Sequence, residues 1–555
     1  MKKKIPYLVI VFAALLLVLP NLITRQMVMG SDSVFHFNRF YDTAMQIKTG
    51  NFQYFISLFG FQQSGRIVNP FYGPLWAYLN GGLVLLAGTW FRYQVLSNFL
   101  LYVLSGTSLF LLLKKAHVSL PIRLPLSLFF MTTFSIQYWI ERQGFTSWGT
   151  AVLPLCLIPV IDMVEKKQIP ILKLALSMAL MAQIHLFTSL LLAVIYAGYF
   201  VYSFVKCHEK GRMLKHLFAA IGLFILLTAN LWTALFYLYR GNTILSPFIN
   251  RDMSSFAVDT GSDYWLFYPY PLLILMGIAA VIFIVRRKEM SVLTGITGLL
   301  ALLFLFLSSD LLPWNTMVSD ELPFVSLIQF PFRFFAPFTV LFLFFSGKTL
   351  QAVKWDTRNF LLLFSAFALL GMGQVLFTTT ETLARWQTEN YAGNSQIHTY
   401  VDSNTKAVKD SFFNSDMQKS LTLVQKGTPD YLPIYQATSA NNYRLYRDEI
   451  VERNPNFQKE VRNDQLTVKW KAPVNGPLAL PIILYQGSRL EAKGRPISYT
   501  LSEIGTPTIQ ATEDIQEITL SFKAPFYVDL GIWVTLLSWI GSLSVLVWIR
   551  THKNS

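Results

Sequence analysis

Long, almost uncharged apolar segments recur from the first residues of the chain to the last. The first covers residues 5–23, directly after the basic start MKKK, and the last covers residues 528–549. Each is long enough to cross a bilayer as a helix. Only 14% of the 555 residues are charged and 53% are hydrophobic, whereas a soluble domain carries about a quarter charged residues. The chain is therefore predicted to be a mainly α-helical, polytopic membrane protein.

The positions of the basic residues predict the orientation in the membrane. The formal net charge is +15, and 16 acidic and 16 basic residues cancel between positions 379 and 525, so the excess lies in the apolar part. Basic loops stay in the cytoplasm. That rule holds at the later loops only if residues 69–88 (NPFYGPLWAYLNGGLVLLAG) form an outer interfacial helix. The predicted spans, about twelve, cover residues 5–23, 96–113, 124–140, 150–164, 171–183, 186–205, 217–239, 272–285, 292–307, 332–345, 360–377 and 528–549.

This arrangement predicts three parts and a cell-membrane location. Residues 1–378 form the transmembrane part, with an outer loop over 25–93, and residues 526–555 form the last span and a cytoplasmic tail. Residues 379–525 form an extracellular, β-rich, sandwich-like domain, because QLTVKWKA and EITLSFKA alternate with a period of two. Neither cysteine of the chain lies in this domain, so it holds no disulfide. Both termini are predicted to be cytoplasmic. The outer parts without disulfides and the loops without low-complexity sequence suggest a Gram-positive bacterium.

Polar side chains concentrate at the predicted outer ends of the spans, which indicates a site at that boundary. In GSDSVFHFNRF, the residues Asp32, His36 and Arg39 are four and three positions apart and share one helical face. An alternative is a capped amphipathic helix with a solvated face. Arg333 in QFPFRF is either a phosphate-binding cation or a snorkelling interfacial arginine. The candidate binding residues are His36, Arg39, Arg66, Asn69, Glu141, Arg142, His185, Gln329 and Arg333.

The histidines do not decide whether the protein binds a metal ion or another cofactor. A histidine between two apolar half-hairpins is a functional candidate or a satisfied interior residue. The seven histidines show no metal-ligand spacing, so no metal site or other cofactor is predicted, although dependence on a divalent ion stays undecided. The chain has no P-loop and no GxSxG motif. Its charge distribution argues against a nucleic-acid partner.

Several motifs resemble a family of bacterial membrane proteins named 6-pyruvoyl-tetrahydropterin synthase-related, and the general plan resembles the GT-C glycosyltransferases. In chain order they are GSDSVFHFNRFYDTAMQIKTGNF, NPFYGPLWAYL, ERQGFTSWGTAVLPL, AQIHLFTSLLLA, LIQFPFRF, TPDYLPIY and ALPIILYQGSRLEAKGRPISY. The chain departs from the pattern where Ser147 and Trp148 stand in place of an expected acid, unless Glu141 substitutes for it. The histidine zinc site of soluble pterin synthases is not visible.

The resemblance implies transfer of a sugar from a polyprenyl-phosphate donor to an acceptor on the outer face. Asp32 matches the family's first-loop acid and would be the general base. Arg333, with Arg39 or Arg66, would bind the phosphate. The candidates for hydrogen bonds to sugar or phosphate are His36, Gln329 and His185. The implied partners are the lipid-linked donor, a cell-wall or lipid-linked glycan acceptor, which the β-rich domain could hold, and membrane lipid.

Two other classes of function remain open at this stage. A transporter or flippase of envelope precursors would need polar residues near the middle of the membrane, where Asn230 is one candidate, and a route to the inside. A non-catalytic scaffold would bind envelope polymer through the outer domain. Polar residues crowd at one face only, which favours chemistry at the surface.

Overall fold

A computed structural model describes residues 4–258, 267–322, 324–353, 357–393, 398–436, 441–471 and 474–552, without the side chains of 357–361. The protein is mostly helical, with small β-sheets towards the C-terminus. Within the described residues, seven helices are long and apolar enough to cross a membrane, or eight if one bent pair forms a single span. The predicted helical, membrane-type fold is thus confirmed at this coarser level. The count of twelve spans and the extracellular location of the β-rich part stay predictions.

The α-helices vary from four to 28 residues. They are α1 Ile5–Thr24, α2 Ser33–Thr49, α3 Asn69–Tyr72, α4 Pro74–Ala87, α5 Trp90–Lys115, α6 Leu120–Thr132, α7 Phe134–Arg142, α8 Thr146–Lys166, α9 Ile171–Ile184, α10 Leu186–Val205, α11 Lys210–Leu227, α12 Ala229–Gly241, α13 Pro271–Val285, α14 Val292–Leu307, α15 Trp314–Ser319, α16 Val325–Ile328, α17 Phe335–Gln351, α18 Thr357–Ala384, α19 Thr405–Ser411, α20 Met417–Leu423, α21 Asn442–Tyr446 and α22 Phe526–His552.

Two predicted spans are broken helices. The segment 124–140 divides into α6 and α7 at Thr133, whose hydroxyl donates to the Phe130 carbonyl at 2.9 Å while the N–H of Phe134 donates to Tyr268 outside the helix. The segment 217–239 divides into α11 and α12, bent by 67°. There the N–H of Asn230 donates to the Thr535 hydroxyl at 2.9 Å. In both places a hydroxyl replaces main-chain hydrogen-bond partners, which permits the break.

Two other predicted elements are present as helices, while their positions relative to the membrane stay predictions. Helices α9 and α10 form a hairpin with His185 at its tip, because the far ends meet where the Cys207 thiol contacts the Lys167 carbonyl at 3.7 Å. The element 69–88 is not among the candidate spans. It is two helices, α3 and α4, joined at Gly73, where φ is 89° and a Cβ would lie 2.5 Å from the Gln183 carbonyl oxygen. Only glycine fits this close approach.

The β-rich part contains the predicted alternating strands. β4 and β10, the predicted QLTVKW and EITLSF, pair antiparallel with Val468 opposite Ile518. They belong to a five-stranded sheet, β3-β4-β10-β6-β7, and a three-stranded sheet, β5-β9-β8, shares its hydrophobic core through Ile509. The strands are β1 Thr399–Val401, β2 Val424–Lys426, β3 Phe457–Arg462, β4 Gln465–Trp470, β5 Gly476–Ala479, β6 Ser488–Ala492, β7 Arg495–Pro496, β8 Tyr499–Leu501, β9 Pro507–Ala511 and β10 Glu517–Phe522.

The core between these sheets also reaches the helical part. Phe55 and Ile67 from the loop after α2, and Tyr237 from α12, belong to the same buried cluster as the strands. Phe55 stacks on Phe522 of β10 with ring centroids 4.8 Å apart. The β-rich part is therefore packed directly against the loop that carries several of the predicted site residues.

Candidate functional site

Helix α2 carries the predicted first-loop residues and is almost wholly buried. His36 is 1% exposed and Arg39 is 0% exposed. The helix packs on α4 and on the short helix α20. The alternative of an amphipathic helix with a solvated face is therefore wrong, because its polar face points into protein. Buried polar side chains of this kind need partners in the protein or in a ligand.

Asp32 occupies the N-cap position of α2 but does not act as a cap. Its carboxylate accepts no hydrogen bond from the first turn, whereas its own N–H donates to the Arg142 carbonyl at 3.3 Å. Gln143 fixes this crossing by accepting from the Gly30 N–H at 2.8 Å. A Cβ at Gly30 would lie 2.3 Å from the Arg142 Cα, so the close crossing requires glycine. The backbone thus holds Asp32 in place, and the residue as a whole is half-buried.

Three cations act on the Asp32 carboxylate. Burial raises its pKa, and the positive charges of Lys426, Arg333 and Arg142 oppose that rise. The Lys426 Nζ also donates to the Ser31 carbonyl at 2.7 Å, which places the ammonium beside the residue before Asp32. A carboxylate with a raised pKa is a stronger base than an exposed aspartate.

Arg39 is a buried guanidinium that forms no ion pair with an acid in the described part of the chain. Its Nε donates to Asn69 Oδ1 at 2.9 Å and its Nη2 donates to the Gly73 carbonyl at 2.7 Å. Its Nη1 has no hydrogen-bond partner among the described residues, and no described carboxylate lies within 4 Å. The guanidinium lies over the Tyr72 and Phe145 rings, 4.9 and 5.1 Å from their centroids. Burial lowers its pKa to about 10, so it stays positive at neutral pH.

Two histidines face this guanidinium and both are neutral. His36 stacks on Phe145 with centroids 5.0 Å apart, and burial and Arg39 lower its pKa well below the ordinary value. Burial, Arg333 and Arg39 lower the pKa of His185 to about 3. The Nδ1 of His185 accepts from the Thr188 N–H at 3.3 Å. The neutral ring therefore carries its proton on Nε2, where it can donate a hydrogen bond.

Arg333 lies in the 3-10 turn just before α17. Its Nη1 donates to the Ile328 carbonyl at 3.1 Å, and it is only partly buried. Its charge lowers the pKa of Asp32 and of His185, so it belongs to the same group. The nearby Gln329 donates to the Phe248 carbonyl at 2.5 Å. In the described part of the chain, that side chain makes no hydrogen bond to the group around Asp32.

Arg66 is a second buried cation, and Asp430 links it to Asp32. Arg66 Nη2 donates to the Asp430 carbonyl at 2.5 Å, while its Nε and Nη1 have no partner among the described residues. Burial raises the pKa of the Asp430 carboxyl to about 6, and it interacts with Arg66, Asp32 and Lys426. We name the whole group the Asp32 cluster. Its members are Asp32, His36, Arg39, Arg66, Asn69, His185, Arg333, Lys426 and Asp430.

Not every predicted residue belongs to the cluster. Arg142 contributes its carbonyl and its charge to Asp32, but its side chain is exposed. Burial raises the pKa of Glu141, and the cations that act on it are Arg142 and Arg385. Glu141 therefore lies near the end of α18. Among the described residues, no interaction links it to Arg39 or to the two histidines of the cluster. The prediction that Glu141 substitutes for the missing acid gains no support.

Lys426 and Asp430 are the cluster members that the sequence analysis missed. Asp430 lies in TPDYLPIY, which was quoted as a motif but given no role. Its acid could have been noticed there, whereas nothing in the local sequence marks Lys426. Among the described residues, no group of three or more His, Cys, Asp and Glu side chains could hold a metal ion.

Comparison with family models, with curated proteins and with solved structures gave no match. The resemblance found in the motifs therefore stays a prediction. The chemistry of the Asp32 cluster has to be inferred from its own geometry, charge and burial.

Proposed function

We propose that the protein is a membrane glycosyltransferase that moves a sugar from a polyprenyl-phosphate donor to an envelope glycan, with Asp32 as the general base. One observation carries this proposal. The Asp32 carboxylate caps no helix and interacts with three cations, Lys426, Arg333 and Arg142. Arg333 also acts on His185, and so does the buried guanidinium of Arg39, which has one unused N–H direction. A phosphate and a hydroxyl nucleophile are the ligands that such a pair suits.

The transfer is a displacement at the anomeric carbon of the donor sugar. The acceptor hydroxyl gives its proton to the Asp32 carboxylate while its oxygen forms a bond to the anomeric carbon. The bond from that carbon to the phosphate oxygen breaks, and the lipid phosphate keeps the electron pair and becomes a dianion. Arg39 and Arg333 stabilise this growing negative charge, which is where fixed cations accelerate a reaction most.

The two histidines serve as neutral groups in this scheme. Because the pKa of His185 is about 3, it does not compete with Asp32 as a base at neutral pH. Its Nε2–H donates to a sugar hydroxyl or a phosphate oxygen. His36 packs against aromatic rings and supports the orientation of Arg39, which lies one helical turn further along α2.

The membrane setting is part of the same proposal. The Asp32 cluster would lie at the outer face, with both termini cytoplasmic and the lipid tail of the donor among the helices. The β-rich part would hold the acceptor, since it packs on the loop that carries Arg66. A divalent ion is not required for the step as written.

The transporter alternative loses its main residue. The Asn230 side chain accepts from Gln183 at 2.8 Å and from Thr535 at 3.2 Å, and its amide donates to the Tyr54 hydroxyl at 3.2 Å. These hydrogen bonds satisfy the polar atoms of the Asn230 side chain. They also connect the start of α12, at the break after α11, to other parts of the protein. Asn230 is therefore better explained as a structural residue than as part of a transport path.

The test is the sugar composition of the cell envelope in a deletion strain. The strain carries the wild type, Asp32→Asn or the control Asp320→Asn, which changes an exposed acid of α15's C-terminal end, at equal membrane levels. We expect one sugar substituent to disappear with Asp32→Asn and to persist with the control.

The purified protein in nanodiscs then receives that sugar on a polyprenyl phosphate. We expect a loss of transfer of at least about 100-fold in Asp32→Asn. Equal transfer by Asp32→Asn and the wild type would contradict the proposal. Movement of an intact lipid-linked sugar across the bilayer, with no bond broken, would favour the flippase.

A further inference from the structure

One short segment of the β-rich part crosses the start of α2. Strand β2 ends at Lys426, whose Nζ donates to the Ser31 carbonyl at 2.7 Å. β2 pairs antiparallel with β1, which fixes Lys426 opposite Thr399. The ammonium is thus held beside the main chain of the proposed base by a paired strand rather than by a free loop.

The same segment continues to Asp430 and Tyr431, which are also fixed. The Asp430 carbonyl accepts from Arg66 at 2.5 Å. The Tyr431 ring stacks on Phe71 with centroids 4.7 Å apart, and its carbonyl accepts from the Tyr485 hydroxyl at 3.1 Å. Residues 424–431, which we name the crossing segment, are therefore anchored at both ends over the Asp32 cluster.

We propose that Lys426 is a positioning residue for Asp32, a cation that the crossing segment holds against the base. The inference rests on the proposed function. Lys426 attracts the ionised carboxylate. Its ammonium is held beside the base by the hydrogen bond to the Ser31 carbonyl.

The electrostatic surroundings of Asp32 agree with this assignment. Lys426 is the largest of the charges that stabilise the ionised Asp32, ahead of Arg333 and Arg142. Asp430 and Asp32 interact as like charges. Tyrosines also face the carboxylate from three other elements. The titratable and charged groups around Asp32 are Arg142, Arg333, Lys426, Asp430, Tyr72, Tyr138 and Tyr443.

The test is the acid limb of the pH profile of kcat/KM for sugar transfer, measured on the full chain in nanodiscs. The limb marks the protonation of the free base. Removal of the cation in Lys426→Met raises the pKa of Asp32, so the limb shifts to higher pH by about one unit.

Two further variants separate position from charge. Lys426→Arg keeps the limb near its wild-type position, since the cation is preserved. Lys419→Met, which removes an exposed lysine of the neighbouring helix α20, leaves it unchanged. A purely structural role would lower the rate without moving the limb. No shift in Lys426→Met, or an equal shift in Lys426→Arg, would overturn the inference.

An infrared titration of the Asp32 carboxyl keeps this inference separate from the proposed function. The carboxyl band is assigned by its loss in Asp32→Asn, and its protonation is followed in the protein without donor or acceptor. If the wild type transfers no sugar, the proposed function fails, while the titration still measures the shift in Lys426→Met. A carboxyl band that titrates at the same pH in Lys426→Met and in the wild type would make the inference wrong.

Discussion

Helix α8 connects two charged regions that differ in how their ions are paired. Near its last turn, Asp162 forms ion pairs with Lys115, Lys166 and Lys173 at 3.0, 3.0 and 3.6 Å. Its first turn, roughly 24 Å away along the helix axis, adjoins the Asp32 cluster, where Arg39 has no carboxylate within 4 Å among the described residues. One acid meets three cations in the first region, and a buried cation lacks an acid in the second.

The difference separates a structural ion cluster from the proposed binding site. The lysines around Asp162 are 35%, 63% and 53% exposed in their side chains, so water screens them and the pairs contribute little. Arg39 is wholly buried, and a buried charge is costly unless it is paired. In the proposed function, the phosphate of the donor would supply the missing partner. The following predictions test this distinction, and the largest effect comes first.

Arg39→Met is expected to lower kcat/KM for sugar transfer by at least about 100-fold, because a cation that stabilises the leaving phosphate is lost. Thermal stability in the same nanodiscs should be unchanged or higher, since an unpaired buried charge disappears. Lys115→Met, at the Asp162 end, is the matched control and should stay within about twofold of the wild type. Equal losses in the two variants would erase the distinction between the two regions.

Asp42→Ala is expected to destabilise the protein by about 2 kcal/mol. Asp42 Oδ1 accepts from the Phe59 and Gly60 N–H groups at 2.8 and 3.2 Å, and the variant leaves both donors buried without a partner. Asp32→Asn, on the same helix, should cost little, because that carboxylate caps nothing. Denaturant titration in detergent micelles measures both. A larger loss in Asp32→Asn would mean that Asp32 is the structural acid.

His185→Ala is expected to reduce transfer by about tenfold, the value of one hydrogen bond at about 1.4 kcal/mol. The pKa of His185 is about 3, so the imidazole is neutral above pH 5 and its removal should leave the shape of the pH profile unchanged there. Initial rates from pH 5 to 8 check both points. Loss of a titration step near the ordinary histidine pKa would show instead that His185 is charged in the working enzyme.

Asp162→Asn is expected to have the smallest effect, less than about 1 kcal/mol in stability and within about twofold in transfer. Its three lysines keep their contact with solvent, so none becomes a buried, unpaired charge. Denaturant titration at low and high salt is the measurement, and the difference from the wild type should shrink as salt screens the pairs. A loss as large as that in Asp42→Ala would show that the Asp162 ions hold the helices together.

Local periodicity predicted the parts of the fold that depend on neighbours in sequence. The alternation of apolar and polar residues was sufficient to predict β4 and β10, because each strand has one buried face. Val468 and Ile518 lie on the same side of the sheet. The spacing of Asp32, His36 and Arg39 likewise predicted a shared helical face. The breaks at Thr133 and before Asn230 were missed, because a hydropathy average does not detect that the N–H groups of Phe134 and Asn230 donate to residues far away in the chain.

The composition of the site was predictable only in part for the same reason. The predicted orientation in the membrane suggested that the outer ends of the helices meet. It therefore predicted that Arg39, His185 and Arg333 belong to one site. It could not separate Glu141, beside Arg385, from the true members of the cluster. It also could not find Lys426, because a contact between strand β2 and the start of α2 depends on how the β-rich part packs on the helices.

The contact between Lys426 and Ser31 joins positions 395 residues apart in the chain. A ribosome adds about 5 to 20 residues per second, so the two ends of this contact emerge roughly 20 to 80 seconds apart. Throughout that interval α2 exists without the crossing segment, and Asp32 lacks its principal cation. Chains cut short before residue 426 would therefore lack this cation altogether. In this protein, the Asp32 cluster is complete only after more than three quarters of the chain has been made.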